Sequence, residues 1–114
     1  MLSKTAALIE EQTGFTVKPI DTGYLNFSIC SPAGQDFFVE VEEGDNLQEL
    51  FFNLFNYYES FDVSYETYLW LDETGHGKYG APYDMKDVYE DMEWCENKIH
   101  ELMLFVDKLS KEEN

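Results

Sequence analysis

The chain of 114 residues contains no arginine. Seven lysines stand against 24 aspartates and glutamates, leaving a formal net charge of −17. Arginine is the planar fork that grips phosphate, carboxylate and base edges. Without it, and with so few lysines, direct binding of DNA or RNA by a basic surface is excluded as an expectation. The acidic headgroups of a membrane would repel the same surface. No stretch approaches the ~18 uncharged apolar residues of a membrane span. The opening segment "MLSKTAALIEEQTG" reaches its first acids at Glu10 and Glu11, too soon for the apolar core of a secretion signal. Cysteine is equally scarce: Cys30 and Cys95 have no C-x-x-C spacing, and read as buried thiols of a cytoplasmic protein rather than as a disulfide or metal pair.

What the chain does have is core material. Apolar residues make up 44% and aromatics 17%, far more than a disordered acidic tail carries. A chain of this length makes one small domain, residues 1–114. Ser3 is positioned to cap a first helix, with Ala6, Ala7, Leu8 and Ile9 as its apolar side and Gly14 as its stop. "FTVKPI" starts a strand that Pro19 confines to an edge. From Tyr24 to Cys30 the pattern alternates, with Leu25, Phe27 and Ile29 on one face. After the turn "SPAGQ" it alternates again, with Phe37, Val39 and Val41 inward and Phe38, Glu40 and Glu42 outward. Three strands joined by short turns predict an antiparallel meander covered on one face.

Beyond Gly44 the period changes. Asp45 with Gln48 fits a capping box, and Leu47, Leu50, Phe51, Leu54, Tyr57, Tyr58 and Phe61 recur at helical spacing, so this helix is expected to cover the sheet. A shorter helix is predicted from Ser64 through "YETYLWL". Asp84 caps the last helix, whose seam runs through Met85, Val88, Met92, Cys95, Ile99, Leu102, Val106 and Leu109. That seam exceeds what three short strands can cover, so its far end should pack on other helices or on a second subunit. The sum is an α+β fold: an N-terminal helix, a three-stranded antiparallel sheet and two to three C-terminal helices.

"GHGKYG", residues 75 to 80, matches G-x-G-x-x-G, but the context of a dinucleotide site is missing. The segment before it reads as helix, Pro82 interrupts it, and no second strand follows. Asp72, Glu73 and Asp84 would repel a pyrophosphate that only Lys78 attracts. A helix end at Gly75 followed by a tight loop explains the glycines better. His76 and His100 have no H-x-x-x-H partner, and His100 lies five residues past Cys95, off the same helical face, so no metal site is expected. No base stands beside a serine, cysteine or threonine in a recognisable motif. No enzyme, no cofactor and no metal are expected.

The acid itself is the remaining signal. Asp84, Asp87, Glu90, Asp91, Glu93 and Glu96 crowd the first half of the last helix against Lys86, while Glu40, Glu42, Glu43 and Asp45 extend negative charge from the third strand into a turn. Such a face can serve solubility and helix N-termini alone. Carboxylates at helical neighbour distances of ~5–6 Å can also stand in for nucleic-acid phosphates in a basic cleft.

The order of a helix, the "GFTVKPI" strand, a hairpin ending in "DFFVEVEEGDN", the "LQELFFNLF" helix and the acidic "YDMKDVYEDME" helix resembles small type II anti-CRISPR proteins. Those occupy the PAM-reading site of an RNA-guided nuclease as DNA mimics. The resemblance implies that Glu40, Glu42, Glu43, Asp45, Asp87, Glu90 and Asp91 face the lysines and arginines of a target. The expected function is therefore a non-enzymatic acidic binding protein of a phage or mobile element, a DNA mimic directed at a nucleic-acid-binding enzyme. Its expected partner is a basic protein surface. The rival expectation is an adaptor or homodimer built on the apolar C-terminal helix.

Overall fold

The computed structural model describes residues 1–74 and 84–112. The order of elements is α1 (Ser3–Thr13), β1 (Thr16–Pro19), β2 (Tyr24–Cys30), β3 (Asp36–Glu42), α2 (Leu47–Ser60), α3 (Val63–Thr74) and α4 (Met85–Glu112). The predicted α+β architecture is the observed one. The "GHGKYG" stretch with its Gly75 helix end, and the mapping of His76 and Lys78, lie outside the described residues.

The three strands form one antiparallel sheet in the order β1-β2-β3, with Phe27 opposite both Val17 and Val39. Pro19 is on edge strand β1, where its missing N–H costs no ladder bond. Alternation decides which side is covered. Leu25, Phe27, Phe37, Val39 and Val41 are buried, while Phe38, Glu40 and Glu42 are exposed. The helices occupy the covered side. α2 packs chiefly along α4 and more lightly on β3, so it covers the sheet less than its apolar face predicts.

At ~1.5 Å per residue a helix of this length is about 42 Å long, and α4 accordingly sets the 48 Å long axis of the molecule. Val88, Met92, Cys95, Ile99, Leu102, Val106 and Leu109 are buried along it, together with Met103. Met85, the first residue of the predicted seam, is instead exposed. The far end packs on α1 and α2, where Lys4, Leu8, Leu47 and Leu109 line one cleft. The interior therefore absorbs the apolar seam, and no second subunit is needed to cover it.

The helix caps correct the sequence reading in three places. Ser3 is already helical; the residue before it, Leu2, provides no side-chain cap. The buried positions of α1 are Ile9 and Thr13, while Ala7 and Leu8 face outward. Thr13 Oγ1 donates to the Ile9 carbonyl at 2.7 Å, which satisfies a hydroxyl inside the core. Gly14 ends the helix as expected, at φ 85° with its N–H on the Glu10 carbonyl. At α2 the cap is Asn46, one residue beyond Asp45: its Oδ1 accepts from Glu49 N at 2.9 Å, and Glu49 Oε2 accepts from Asp45 N. The Asn46–Glu49 pair thus resembles a capping box moved one residue on, except that the returning bond comes from Asp45, the residue before the cap. At α3 the cap is Asp62, whose Oδ1 accepts from Tyr65 N at 3.1 Å; Ser64 is already inside the helix. Asp84 does cap α4, accepting from Asp87 N at 2.8 Å.

Candidate functional site

The predicted acidic face falls into separate parts. Glu40 and Glu42 project from the open side of β3, with Asn26 Nδ2 donating to Glu40 and the Tyr24 hydroxyl donating to Glu42, both at 3.3 Å. Asp45 is exposed in the turn beyond. Glu43 is half-buried and pairs with the amino group of Met1, so its charge is already matched. Asp87 and Glu90 are exposed at the start of α4.

Asp91 does not belong with them. It is buried, one oxygen accepting from Ser31 Oγ at 2.7 Å and the other from Ala33 N at 3.1 Å. Ser31 Oγ in turn accepts from Gln35 N at 3.1 Å. A carboxylate committed to the β2–β3 turn cannot face a partner, so its assignment as a contact residue is withdrawn. The same contact shows how far apart the two predicted groups are. α4 meets the hairpin at Ser31 and Ala33, next to the first residue of β3, whereas Glu42, Glu43 and Asp45 lie at or past its last. A strand advances ~3.4 Å per residue, so about 20 Å of strand separates the ends. Glu40 and Glu42 stand on the open face of the sheet, whereas Asp87 and Glu90 stand on a helix of its covered side.

Another grouping takes their place. Glu59, Asp62, Glu93 and Glu96 line one cleft of about 460 Å³ between the α2–α3 junction and α4, with Phe61 and Val63 at its base and Tyr89 on its wall. Tyr89, Glu93 and Glu96 recur at i, i+4 and i+7, which places them on one side of α4. Asp62 is there because it caps α3. Glu59 is at the last turn of α2. Phe61, buried at the helix end, packs edge-to-face on Phe37 of β3 at 5.9 Å and pins the junction. No lysine among the described residues lines this cleft. Among the described residues no three of His, Cys, Asp or Glu converge as a metal site would require. Glu93 and Glu96 could be read from the helix pattern; Glu59 and Asp62 could not, because the junction that turns them toward α4 is a tertiary feature.

Burial and acids outside the cleft shift two interior groups. Burial first, then Glu66, Cys95 and Glu40, push the Tyr57 hydroxyl above its ordinary value. Burial, then Asp91 and Glu66, push the Cys95 thiol up to about 12. Cys95 is a buried free thiol as expected; Cys30 is also free but is exposed at the end of β2, contrary to the sequence reading. His100 stacks against Tyr58 at 5.2 Å, which explains that histidine without a ligand role.

No family of known proteins, no characterised protein and no solved structure matches the chain. Among the described residues no helix is long and apolar enough to cross a membrane.

Proposed function

We propose that the protein is a non-enzymatic acidic binding protein, a DNA mimic whose carboxylates occupy the basic cleft of a nucleic-acid-binding enzyme. The observation that carries the reading is the cleft of Glu59, Asp62, Glu93 and Glu96, four carboxylates from α2, the α2–α3 junction and α4, with no lysine among the described residues that line it. Duplex DNA presents one charge per ~1.7 Å of its axis, and a rigid, unneutralised row of acids offers lysines and arginines a comparable target. Asp87 and Glu90 extend the charge along α4 toward its start. Glu40 and Glu42 form a second acidic patch on the open side of the sheet, with Asp45 exposed in the turn beyond it. The target class suggested by the resemblance is a type II CRISPR effector nuclease.

The test is competition with fluorescent duplex DNA for a guide-loaded type II effector nuclease. The chain should displace the duplex, and displacement should weaken steeply between about 0.05 and 0.2 M salt, where phosphate-contacting proteins lose orders of magnitude in affinity. Replacing Glu59, Asp62, Glu93 and Glu96 by Gln or Asn should abolish displacement. Neutralising Glu10, Glu11 and Glu112 should only slow association through weaker steering. Failure of the wild-type chain to displace DNA removes this nuclease as the target. Equal activity of both variants removes the cleft.

A further inference from the structure

The outer flank of the α2–α4 pair is apolar, and the acidic surface makes no use of it. Tyr58 meets His100, and Leu47 shares a cleft with Leu109, so the two helices run antiparallel. One turn beyond the Tyr58–His100 contact, Leu54 and Met103 turn inward and are buried, while Phe55 and Leu104 turn outward. Phe52 is 54% exposed, Leu104 47% and Phe55 36%. The half-buried Phe51 ring packs against both Phe52 and Phe55.

Charge is distributed unevenly beneath this flank. Residues 85 to 97 of α4 hold Asp87, Glu90, Asp91, Glu93 and Glu96 against Lys86, whereas residues 98 to 112 hold Glu101, Asp107 and Glu112 against Lys98, Lys108 and Lys111. The apolar flank therefore sits on the half of the helix whose charges balance. Asn97, Glu101, Leu104, Lys108 and Lys111 are all exposed and follow one another at steps of three or four, so they share one face. Lys108 has no ion pair among the described residues; Glu101 is ion-paired with Lys98 Nζ at 3.1 Å and still 48% exposed.

We propose that a second copy of the chain docks on this flank, α4 against α4, antiparallel and centred on Leu104. Residues 101 and 108 lie on either side of 104 on the same face. A two-fold axis crossing α4 midway between residues 104 and 105, within about 1 Å of Leu104 along the helix, sets Glu101 of each copy against Lys108 of the other. Phe52 and Phe55 close the contact from α2. The acidic halves of the two α4 helices point in opposite directions, so two strongly negative chains meet at their neutral ends. A two-fold contact demands this self-complementarity, whereas an unrelated partner would not.

Sedimentation equilibrium of the intact chain from about 1 µM to 1 mM tests the proposal, with circular dichroism reporting folding of each variant. The wild type should show a reversible monomer–dimer equilibrium. Leu104→Asp should weaken it at least about tenfold, and Lys108→Glu or Glu101→Lys alone should each weaken it about tenfold by setting like charges face to face. The double swap Glu101→Lys with Lys108→Glu should restore the dimer to within about threefold of wild type. A monomer at every concentration, which would leave the flank to a different protein, overturns the proposal. So does a dimer that withstands Leu104→Asp, or a double swap that stays as weak as its parents.

Discussion

The carboxylate of Asp91 grips the β2–β3 turn by two hydrogen bonds, from Ser31 Oγ at 2.7 Å and from Ala33 N at 3.1 Å. These partners are about sixty residues away in sequence, so one acid ties the start of the long helix to the tip of the hairpin. Its charge is spent inside the fold. The neighbouring Glu90 is exposed and free of that duty. Two adjacent acids on one helix thus do opposite work, and mutation should separate them. Asp91→Ala should destabilise the protein by about 2–3 kcal/mol, because Ser31 Oγ and Ala33 N lose a charged acceptor in a buried place. Asp91→Asn should cost less, since one amide oxygen can still accept. Glu90→Gln should stay within about 0.5 kcal/mol. Urea denaturation of the three variants measures all of this.

The entry to α2 gives a second test. Gly44 sits at φ +77°, and a Cβ there would approach Glu49 Cβ to 2.7 Å. Gly34 shares the left-handed conformation, at φ +85°, with nothing within 4 Å. Gly34→Ala should therefore cost about 1 kcal/mol through backbone strain alone, and Gly44→Ala more, through strain plus displacement of the capping glutamate. Thermal melts in which Gly44→Ala unfolds at or above the temperature of Gly34→Ala would contradict the close approach.

The cap itself distinguishes neighbours. Asn46→Ala should cost about 1 kcal/mol, while Asp45→Ala should change little, because the box uses the Asp45 backbone and not its side chain.

That off-by-one cap shows where sequence reading stops. "GDNLQE" offers two overlapping motifs, Asp45 with Gln48 and Asn46 with Glu49, and local pattern cannot choose between them. The choice falls with the turn geometry at Gly44, where the chain leaves the sheet. The same applies at Asp62 and Ser64, two good cap residues two positions apart. By contrast, the strands were legible because alternation of Leu25 and Phe27, and of Phe37, Val39 and Val41, follows directly from a pleat with one wet face. The seam of α4 was legible for the equivalent helical reason. Asp91 was not, since nothing in "YEDMEW" distinguishes Glu90 from Asp91 until a hairpin arrives with two donors. The acidic cleft was half legible: Glu93 and Glu96 follow from helical spacing, whereas Glu59 and Asp62 depend on the α2–α3 corner.

The two thiols should react very differently. Cys30 is exposed, and Cys95 is buried with its thiol pushed up to about 12 by burial, Asp91 and Glu66. The thiolate is the reactive form. At pH 8, iodoacetamide should label Cys30 in the folded protein and reach Cys95 only in denaturant, as mass spectrometry of the digested chain will show. The same shift has a pH consequence. Unfolded Cys95 ionises near its ordinary value of 9.0, whereas the folded thiol stays protonated to about 12. Between those values the folded state holds more protons, so this residue makes stability fall as pH rises, with its favourable share intact below 9.

Neutralising the acidic cleft should affect the fold and the binding in opposite directions. Glu59, Asp62, Glu93 and Glu96 repel one another across a gap that, among the described residues, no lysine lines. Gln or Asn at Glu59, Glu93 and Glu96, with Asp62 kept because it caps α3, removes three charges and leaves the helix start intact. The triple variant should melt higher than wild type, most visibly at low salt, where repulsion is least screened. Added salt should narrow the difference. The same triple variant should lose most of its ability to displace DNA from the basic partner, since the repulsion that burdens the isolated chain is the attraction that a cationic cleft would satisfy. Paired melts and displacement curves on one preparation at about 0.02 and 0.2 M salt decide the matter. If the triple variant melts no higher at either salt, the cleft acids do not feel one another, and the electrostatic basis of the proposed binding fails with them.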